Sequence, residues 1–243
     1  RQLSECRCEK RGRCSRMTHA VIFDLDGTLI DSLPDVLGAL NPVLAEAGRR
    51  KVTVEEGRLM VGGGAEPLIE RAFGLTGDPV APADIQIHVD AFAVNYQAVP
   101  VRHTTIFDGV VPALEDLASR GYRLGICTNK PHDSALTVLE ALGLDRHFAS
   151  CIGKAARPFN KPDRRHYDAV AEELGVAPRN SLYIGDSETD VETARNAGVP
   201  IILVPFGYSR KPAAELGGDR LIGHFSELAA AIDELLPIAS SRP

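Results

Sequence analysis

The chain is organised around Val21-Ile22-Phe23-Asp24-Leu25-Asp26-Gly27-Thr28. Three apolar residues, two of them β-branched, run into an acid, which is typical of a buried strand that reaches the edge of its sheet. Asp24 and Asp26 lie two residues apart, and Gly27 lets the backbone turn away without a Cβ in the way. Two carboxylates at one strand end repel each other unless a cation or a shared proton relieves them. The stretch therefore predicts a nucleophile and acid pair or a metal site, although the same residues also occur in ordinary turns.

Composition places the chain among globular proteins. Of its 243 residues 44% are hydrophobic and 25% charged, which is enough apolar material for a core. No apolar run approaches the roughly 18 residues that a membrane span needs. The formal net charge is -6, and because residues 1–16 carry +4, the remainder carries -10. An acidic body argues against nucleic acid as the partner.

The N-terminal tail, residues 1–16, is expected to be disordered because it offers almost nothing to bury. It has no apolar core of a secretory signal, and Met17 directly before the first strand suggests that translation begins there. The five cysteines are an odd number and form no disulfide pattern. We therefore expect a cytoplasmic protein.

Helical spacing replaces strand spacing after Asp31. Apolar residues recur from Leu33 to Leu44, and Pro42 inside this pattern predicts a kink or break. Thr53 reads as the N-cap of a second helix, which Gly62-Gly63-Gly64 ends. Two more helices and no strand are predicted before Phe107. Residues 32–106 are therefore expected to form an all-helical cap domain.

From Gly109 onward helices and strands alternate, which is typical of a doubly wound α/β fold with a mostly parallel, Rossmann-like sheet. Predicted strands are 122–127, one near 150, 182–184, 201–204 and one near 221. Predicted helices are 110–119, 133–142, 163–174, 188–197 and 225–236. Residues 17–31 and 107–243 are therefore expected to form the core domain.

Two further strands end in small polar residues. One runs into Thr128-Asn129-Lys130 and the other into Gly185-Asp186-Ser187. In an open parallel sheet such ends share one edge, where ligands bind. Thr128 and Asn129 are predicted to open a helix, whose N-H groups and dipole would hold phosphate oxygens. Lys161, in a loop before Pro162, would add a positive charge.

Asp186 completes an acidic trio with Asp24 and Asp26. Such a trio suits a hard cation bound by oxygen ligands, and Mg²⁺ fits. A carboxylate about 4 Å from one phosphate charge is repelled by about 4 kcal/mol at an effective dielectric constant of 20. A divalent cation together with a lysine offsets that repulsion.

These motifs, in this order, resemble the four motifs of the haloacid dehalogenase-like superfamily, and the helical insert resembles its type 1 cap. Within the superfamily the chain looks most like bacterial phosphoglycolate phosphatases, from the motifs above together with Val61-Gly62-Gly63-Gly64 and Phe206-Gly207-Tyr208. One departure is Arg164, which stands where the family usually has a second proline after Lys161-Pro162. Lys161 itself is retained, and the departure affects the residues at which the next helix is expected to start.

The resemblance implies a role for each site residue. Asp24 is the nucleophile that forms an aspartyl-phosphate, and Asp26 protonates the leaving oxygen and later activates water. Thr128 binds the phosphoryl group and Lys161 steadies it. The metal, Mg²⁺, is bound by Asp24, Asp186 and the backbone of Asp26. Further substrate contacts are expected from Asn129, Lys130 or Arg102, and from N-H groups around Gly63.

The resemblance implies hydrolysis of a small phosphate monoester, with 2-phosphoglycolate as the expected substrate. The motifs leave open a sugar-phosphate phosphatase, a pyrophosphatase or a β-phosphoglucomutase-like isomerase. A dehalogenase is disfavoured because it has no leaving alkoxide for Asp26 to protonate. A catalytically silent regulator is disfavoured because every expected polar residue is present. The expected partner is a small phosphorylated metabolite, with no nucleic acid and no membrane, and a homodimer stays open.

Overall fold

The computed structural model describes residues 19–99 and 101–236, so the predicted tail lies outside the described residues. The strands in these ranges are β1 (Ala20–Phe23), β2 (Ile30–Asp31), β3 (Thr105–Ile106), β4 (Arg123–Pro131), β5 (Ser150–Lys154), β6 (Ser181–Gly185), β7 (Ile201–Leu203) and β8 (Arg220–Leu221). The helices are α1 (Leu33–Glu46), α2 (Val54–Arg58), α3 (Ala65–Thr76), α4 (Ile85–Ala98), α5 (Val110–Ser119), α6 (His132–Ala141), α7 (Arg164–Glu173), α8 (Glu188–Ala197) and α9 (Leu228–Leu235). None of the helices in the described ranges is long and apolar enough to cross a membrane.

Six parallel strands form the main sheet, in the order β5-β4-β1-β6-β7-β8. The first strand of the chain is central, and its four residues are all buried. Such a strand must be apolar on both faces, because helices cover both sides of a parallel sheet. The expected α/β fold with a mostly parallel sheet is confirmed. Its central strand places Asp24 at the middle of the carboxyl edge.

Apolar side chains cover the sheet on both faces. One cluster joins the sheet to α5, α6 and α9, through residues such as Leu114, Val138 and Ile232. The other joins it to α7 and α8, through residues such as Tyr167 and Val191. These apolar contacts on both faces stabilise the sheet. The polar carboxyl ends of the strands therefore need not contribute to its packing and can carry functional residues.

The helices α1 to α4, which we call the cap, share a separate apolar cluster. Helix α1 continues through Pro42, so of the expected kink or break the break is wrong and the kink stays a prediction. Pro42 is exposed, whereas Leu40, Val43 and Leu44 are buried in the cluster. Packing of this apolar face outweighs the single hydrogen bond that the proline removes.

Two short strands connect the cap to the sheet. The expectation of no strand before Phe107 is wrong, since β3 pairs antiparallel with β2. Nearby, the carboxylate of Asp35 accepts hydrogen bonds from the backbone N-H groups of Arg102, His103 and Thr104 at 2.8 to 3.0 Å. These contacts tie the beginning of the cap to its end and hold it over the carboxyl edge of the sheet. The domain boundaries themselves stay a prediction.

Candidate active site

Asp24 and Asp186 face each other at the carboxyl ends of the neighbouring strands β1 and β6. The backbone N-H of Asp24 donates to the carbonyl of Ile184 at 2.9 Å, which continues the strand pairing to the edge. Gly27 has a φ of +84°, and a Cβ there would lie 2.5 Å from Oδ2 of Asp186. Only glycine allows the turn and this approach together.

Two hydrogen bonds from different loops fix Asp186. Thr28 Oγ1 donates to its Oδ1 at 2.8 Å, and the backbone N-H of Tyr208 donates to its Oδ2 at 2.6 Å. A side chain at Gly207 would overlap this carboxylate. The hydroxyl of Tyr208 donates to Asp31 at 2.6 Å, so the same residue joins Asp186 to the strand that leads into the cap.

Lys161 is buried between two carboxylates. Its Nζ lies 2.9 Å from Oδ2 of Asp24 and 2.7 Å from Oδ1 of Asp190. Burial disfavours the ammonium, but Asp190 and Asp24 raise the pKa of Lys161 well above its ordinary value. The lysine is therefore charged and is held directly beside the candidate nucleophile.

Asn129 holds the loop that carries Lys161. Its side-chain amide donates to the carbonyl of Lys161 at 3.1 Å and accepts from its backbone N-H at 3.0 Å. Both ends of the Asn129 side chain are thus engaged within the protein. The structure gives this side chain a positioning role toward Lys161, and its contact with substrate stays a prediction.

Thr128 lines the candidate site, but it does not open a helix. Strand β4 continues to Pro131, with a shift in its pairing to β5 after Cys127, and α6 begins only at His132. The proline explains the difference, because the residue before a proline avoids helical backbone angles. The predicted helix dipole at Thr128 and Asn129 is therefore wrong.

Lys130 is bound on two sides. Its Nζ lies 3.0 and 3.2 Å from the two carboxylate oxygens of Asp26 and 2.7 Å from the hydroxyl of Tyr96. An ammonium has three N-H donors, and three acceptor atoms lie within reach here. The donors of Lys130 are matched inside the protein, and its contact with substrate stays a prediction.

The buried acids carry more negative charge than the adjacent lysine balances. Carboxylate oxygens of Asp24, Asp186 and Asp190 all lie within 4.8 Å of one another. Burial, together with the charge of Asp190, raises the pKa of Asp24 to about 6 despite Lys161. Burial, Asp190 and Asp24 raise the pKa of Asp186 well above its ordinary value. Converging buried oxygens with excess negative charge suit a hard divalent cation.

Asp190 is a residue to which the sequence analysis assigned no role. Its Oδ2 accepts hydrogen bonds from both the backbone N-H and the hydroxyl of Ser187, at 3.1 and 2.6 Å. Burial alone would raise the pKa of Asp190, but Lys161 and these bonds lower it. The spacing Ser187-x-x-Asp190 is a capping-box pattern at the start of α8, and it could have identified this contact.

A cavity of about 220 Å³ lies between the sheet edge and the cap. Its core side contains Asp24, Asp26, Thr128, Asn129, Lys130, Lys161 and Asp186, and its cap side contains Val36, Val61, Gly62, Gly63, Gly64, Leu68, Phe92 and Tyr96. The cavity thus brings together every predicted site residue except Arg102, whose side chain is exposed and lies outside the cavity. Nothing in the sequence pattern identified Tyr96, which no motif marks.

Arg164 begins α7 without the expected proline. Asp163 is the N-cap, and its carboxylate accepts a hydrogen bond from the backbone N-H of Arg165 at 2.9 Å. Capping by Asp163 stabilises the first turn of α7, so the helix starts here without the proline. The departure from the family pattern therefore leaves the position of Lys161 intact.

Comparison with known proteins identifies the family. Residues 21–204 match the family model described as haloacid dehalogenase-like hydrolase. The chain is 40% identical over 220 residues to phosphoglycolate phosphatase of Caulobacter vibrioides, covering 89% of this chain and 91% of that one. It is also 40% identical over 216 residues to phosphoglycolate phosphatase of Rhodospirillum rubrum, covering 87% and 90%.

A solved structure has the same fold. The crystal structure of a predicted phosphoglycolate phosphatase from Haemophilus somnus superposes with a TM-score of 0.82 at 26% identity, covering 88% of this chain and 97% of that one. The present chain belongs to the haloacid dehalogenase-like hydrolases.

Proposed function

We propose that this haloacid dehalogenase-like hydrolase is a phosphoric monoester hydrolase that acts on 2-phosphoglycolate. The observation that carries the proposal is the contact of 2.9 Å between Lys161 and Asp24 within a group of buried acids. Relatives named phosphoglycolate phosphatase, 40% identical over most of both chains, support the substrate.

The reaction has two steps. A carboxylate oxygen of Asp24 attacks phosphorus, the bond between phosphorus and the leaving oxygen breaks, and Asp26 gives that oxygen a proton. Water then attacks the aspartyl-phosphate, Asp26 takes its proton, and phosphate leaves. Lys161 reduces the charge repulsion between Asp24 and the phosphate, and Thr128 binds the phosphoryl oxygens. Such a transfer depends on placement and charge neutralisation more than on further covalent chemistry.

Mg²⁺ is the proposed cofactor. Its ligands would be the carboxylates of Asp24 and Asp186 and the backbone carbonyl of Asp26, and the buried acids fit such an ion. When bound, the ion would offset the negative charge of the phosphate. Asp190 would act indirectly, since its oxygens accept from Lys161, Tyr183 and Ser187.

The carboxylate of phosphoglycolate needs a recognition site, because a two-carbon leaving group offers almost no apolar area. We assign it to the turn Gly62-Gly63-Gly64 and the first residues of α3, which line the cavity. The three glycines have φ values of +111°, +84° and +98°. The N-H groups at a helix start are unpaired and favour an anion. The cytoplasmic location stays a prediction, and the sequence leaves a homodimer open.

The test measures phosphate release from phosphoglycolate, a hexose phosphate, pyrophosphate and an aryl phosphate, each with and without Mg²⁺. We expect phosphoglycolate to have the highest kcat/KM and all turnover to require the metal. Hydrolysis of a hexose phosphate or pyrophosphate at least about tenfold more efficient than that of phosphoglycolate would refute the substrate. Isomerisation without phosphate release would refute the reaction class.

A further inference from the structure

Lys130, which is buried, and Asp26, which is partly buried, form an ion pair beside the cavity. The Lys130 side chain is 5% exposed and that of Asp26 is 17% exposed. Burial opposes the charge of Lys130, but Asp26 and Tyr96 raise its pKa above the ordinary value. An isolated buried ammonium would be costly, so these two partners determine where Lys130 lies.

The two oxygens of Asp26 are held unequally. Oδ1 accepts from the hydroxyl of Ser32 at 2.6 Å and from Lys130 at 3.0 Å. Oδ2 has only the longer contact with Lys130, at 3.2 Å, among the described side chains. The two contacts at Oδ1 restrict rotation of the carboxylate and leave Oδ2 able to transfer a proton.

Tyr96 holds Lys130 from the cap side. Its hydroxyl lies 2.7 Å from the ammonium, which also lies 4.7 Å from the centroid of the Tyr96 ring. The ring is itself oriented by stacking on Phe92, with centroids 5.9 Å apart and planes at 23°. Lys130 is therefore fixed by the cap on one side and by the candidate acid on the other.

We propose that Lys130 and Tyr96 are positioning residues that orient the carboxylate of Asp26 for proton transfer to the leaving group. The inference rests on the proposed function, in which Asp26 protonates the leaving oxygen while phosphorus is transferred to Asp24. A displaced acid slows the reaction in proportion to how much the leaving group needs the proton. An alkoxide needs it strongly, whereas a nitrophenolate leaves almost without it.

The experiment compares Lys130→Met and Tyr96→Phe with the parent on three substrates, each assayed in the presence of Mg²⁺. These are p-nitrophenyl phosphate, ethyl phosphate and phosphoglycolate. Ethyl phosphate has a poor leaving group but no carboxylate, so it separates proton transfer from carboxylate binding. Tyr122→Phe is the matched control, because the Tyr122 hydroxyl has no hydrogen-bond partner among the described residues.

We expect Lys130→Met to lower kcat/KM for ethyl phosphate about 30-fold more than for p-nitrophenyl phosphate, with a similar excess for phosphoglycolate. Tyr96→Phe keeps the ring but removes the hydroxyl. It should lower kcat/KM for ethyl phosphate about fivefold more than for p-nitrophenyl phosphate. The double variant should lose less than the product of the two effects, because both residues act through Asp26. Tyr122→Phe should affect kcat/KM equally for all three substrates.

Equal losses on all three esters would overturn the inference and leave the pair a structural contact. A loss confined to phosphoglycolate would also overturn it, since Lys130 would then bind the substrate carboxylate. If Lys130→Met does not fold, as judged by thermal melting, Tyr96→Phe carries the test. Failure of the proposed function would appear separately, as p-nitrophenyl phosphate hydrolysis that survives Asp24→Asn.

Discussion

The two ends of the cavity are built differently. At the phosphate end, Lys161 forms ion pairs with both Asp24 and Asp190, and the three residues come from a strand end, a loop and the first turn of α8. At the leaving-group end, Val61, Leu68 and Phe92 belong to or pack against the apolar cluster of the cap. Buried charges need fixed partners because a displaced one is costly, whereas apolar contacts are non-directional. Phosphoryl transfer therefore takes place at the rigid phosphate end. The apolar residues of the leaving-group end can change the substrate selectivity without disturbing it.

The largest effect is expected from Asp24→Asn at the phosphate end. The amide cannot attack phosphorus, so turnover of every ester should fall by at least about a thousandfold. Phosphate release at saturating Mg²⁺ measures this, with Asp108→Asn as the control, since Asp108 is exposed and does not line the cavity. Activity within about tenfold of the parent would contradict the assignment of Asp24.

Acid should weaken the sheet domain behind the phosphate end. Burial lowers the pKa of His166 from 6.5 to about 4, and its Nδ1 has no hydrogen-bond partner among the described residues. The folded protein therefore binds this proton less readily than the unfolded chain. The contribution of neutral His166 to the free energy of unfolding should be complete above pH 6.5. It should be lost between pH 6.5 and about 4, which lowers the free energy of unfolding by roughly 3 kcal/mol.

Urea unfolding from pH 7 to 4 measures this loss. His166→Gln should lose less stability over the same interval, whereas the exposed His147→Gln should behave as the parent does. If the parent and His166→Gln have parallel pH profiles, His166 does not cause the acid sensitivity.

A smaller effect is expected from Asn129→Ala, which leaves the backbone of Lys161 without its two side-chain bonds. We expect kcat to fall about 10- to 100-fold, by a similar factor for all esters, because the phosphate end serves them all. The control is Asn196→Ala, which removes a single exposed bond of 2.9 Å to Pro162 in the same loop. If the loss of kcat differs strongly between esters, the phosphate end also takes part in selecting the leaving group.

The smallest effect is expected at the cap. Leu68→Ala widens the leaving-group end, so kcat/KM for a hexose phosphate relative to phosphoglycolate should rise about three- to tenfold. The truncation should also cost about 2 to 5 kcal/mol of stability. Leu75→Ala, at a position 43% exposed, is the control. An unchanged ratio would mean that the cap wall does not select the leaving group.

Local patterns predicted most of the fold and the identity of the acids. Strand β1 is apolar on both faces, and the alternation after Gly109 follows from helical and strand periodicity, which are properties of a short segment. A break at Pro42 was wrong, because the buried face of α1 maintains the helix. A helix start at Thr128 was also wrong, because Pro131 delays the next helix. Both errors arose where two local signals competed and packing or backbone restriction decided.

By itself the sequence determined which residues end the strands, and parallel topology then requires Asp24 and Asp186 to meet at one edge. Only the tertiary structure decided their partners. Asn129 binds the backbone of Lys161, 32 residues away, and Lys130 binds Tyr96, 34 residues away. Such pairings depend on how the cap and the loops pack over the sheet. A pattern of neighbouring residues contains no information about those distances.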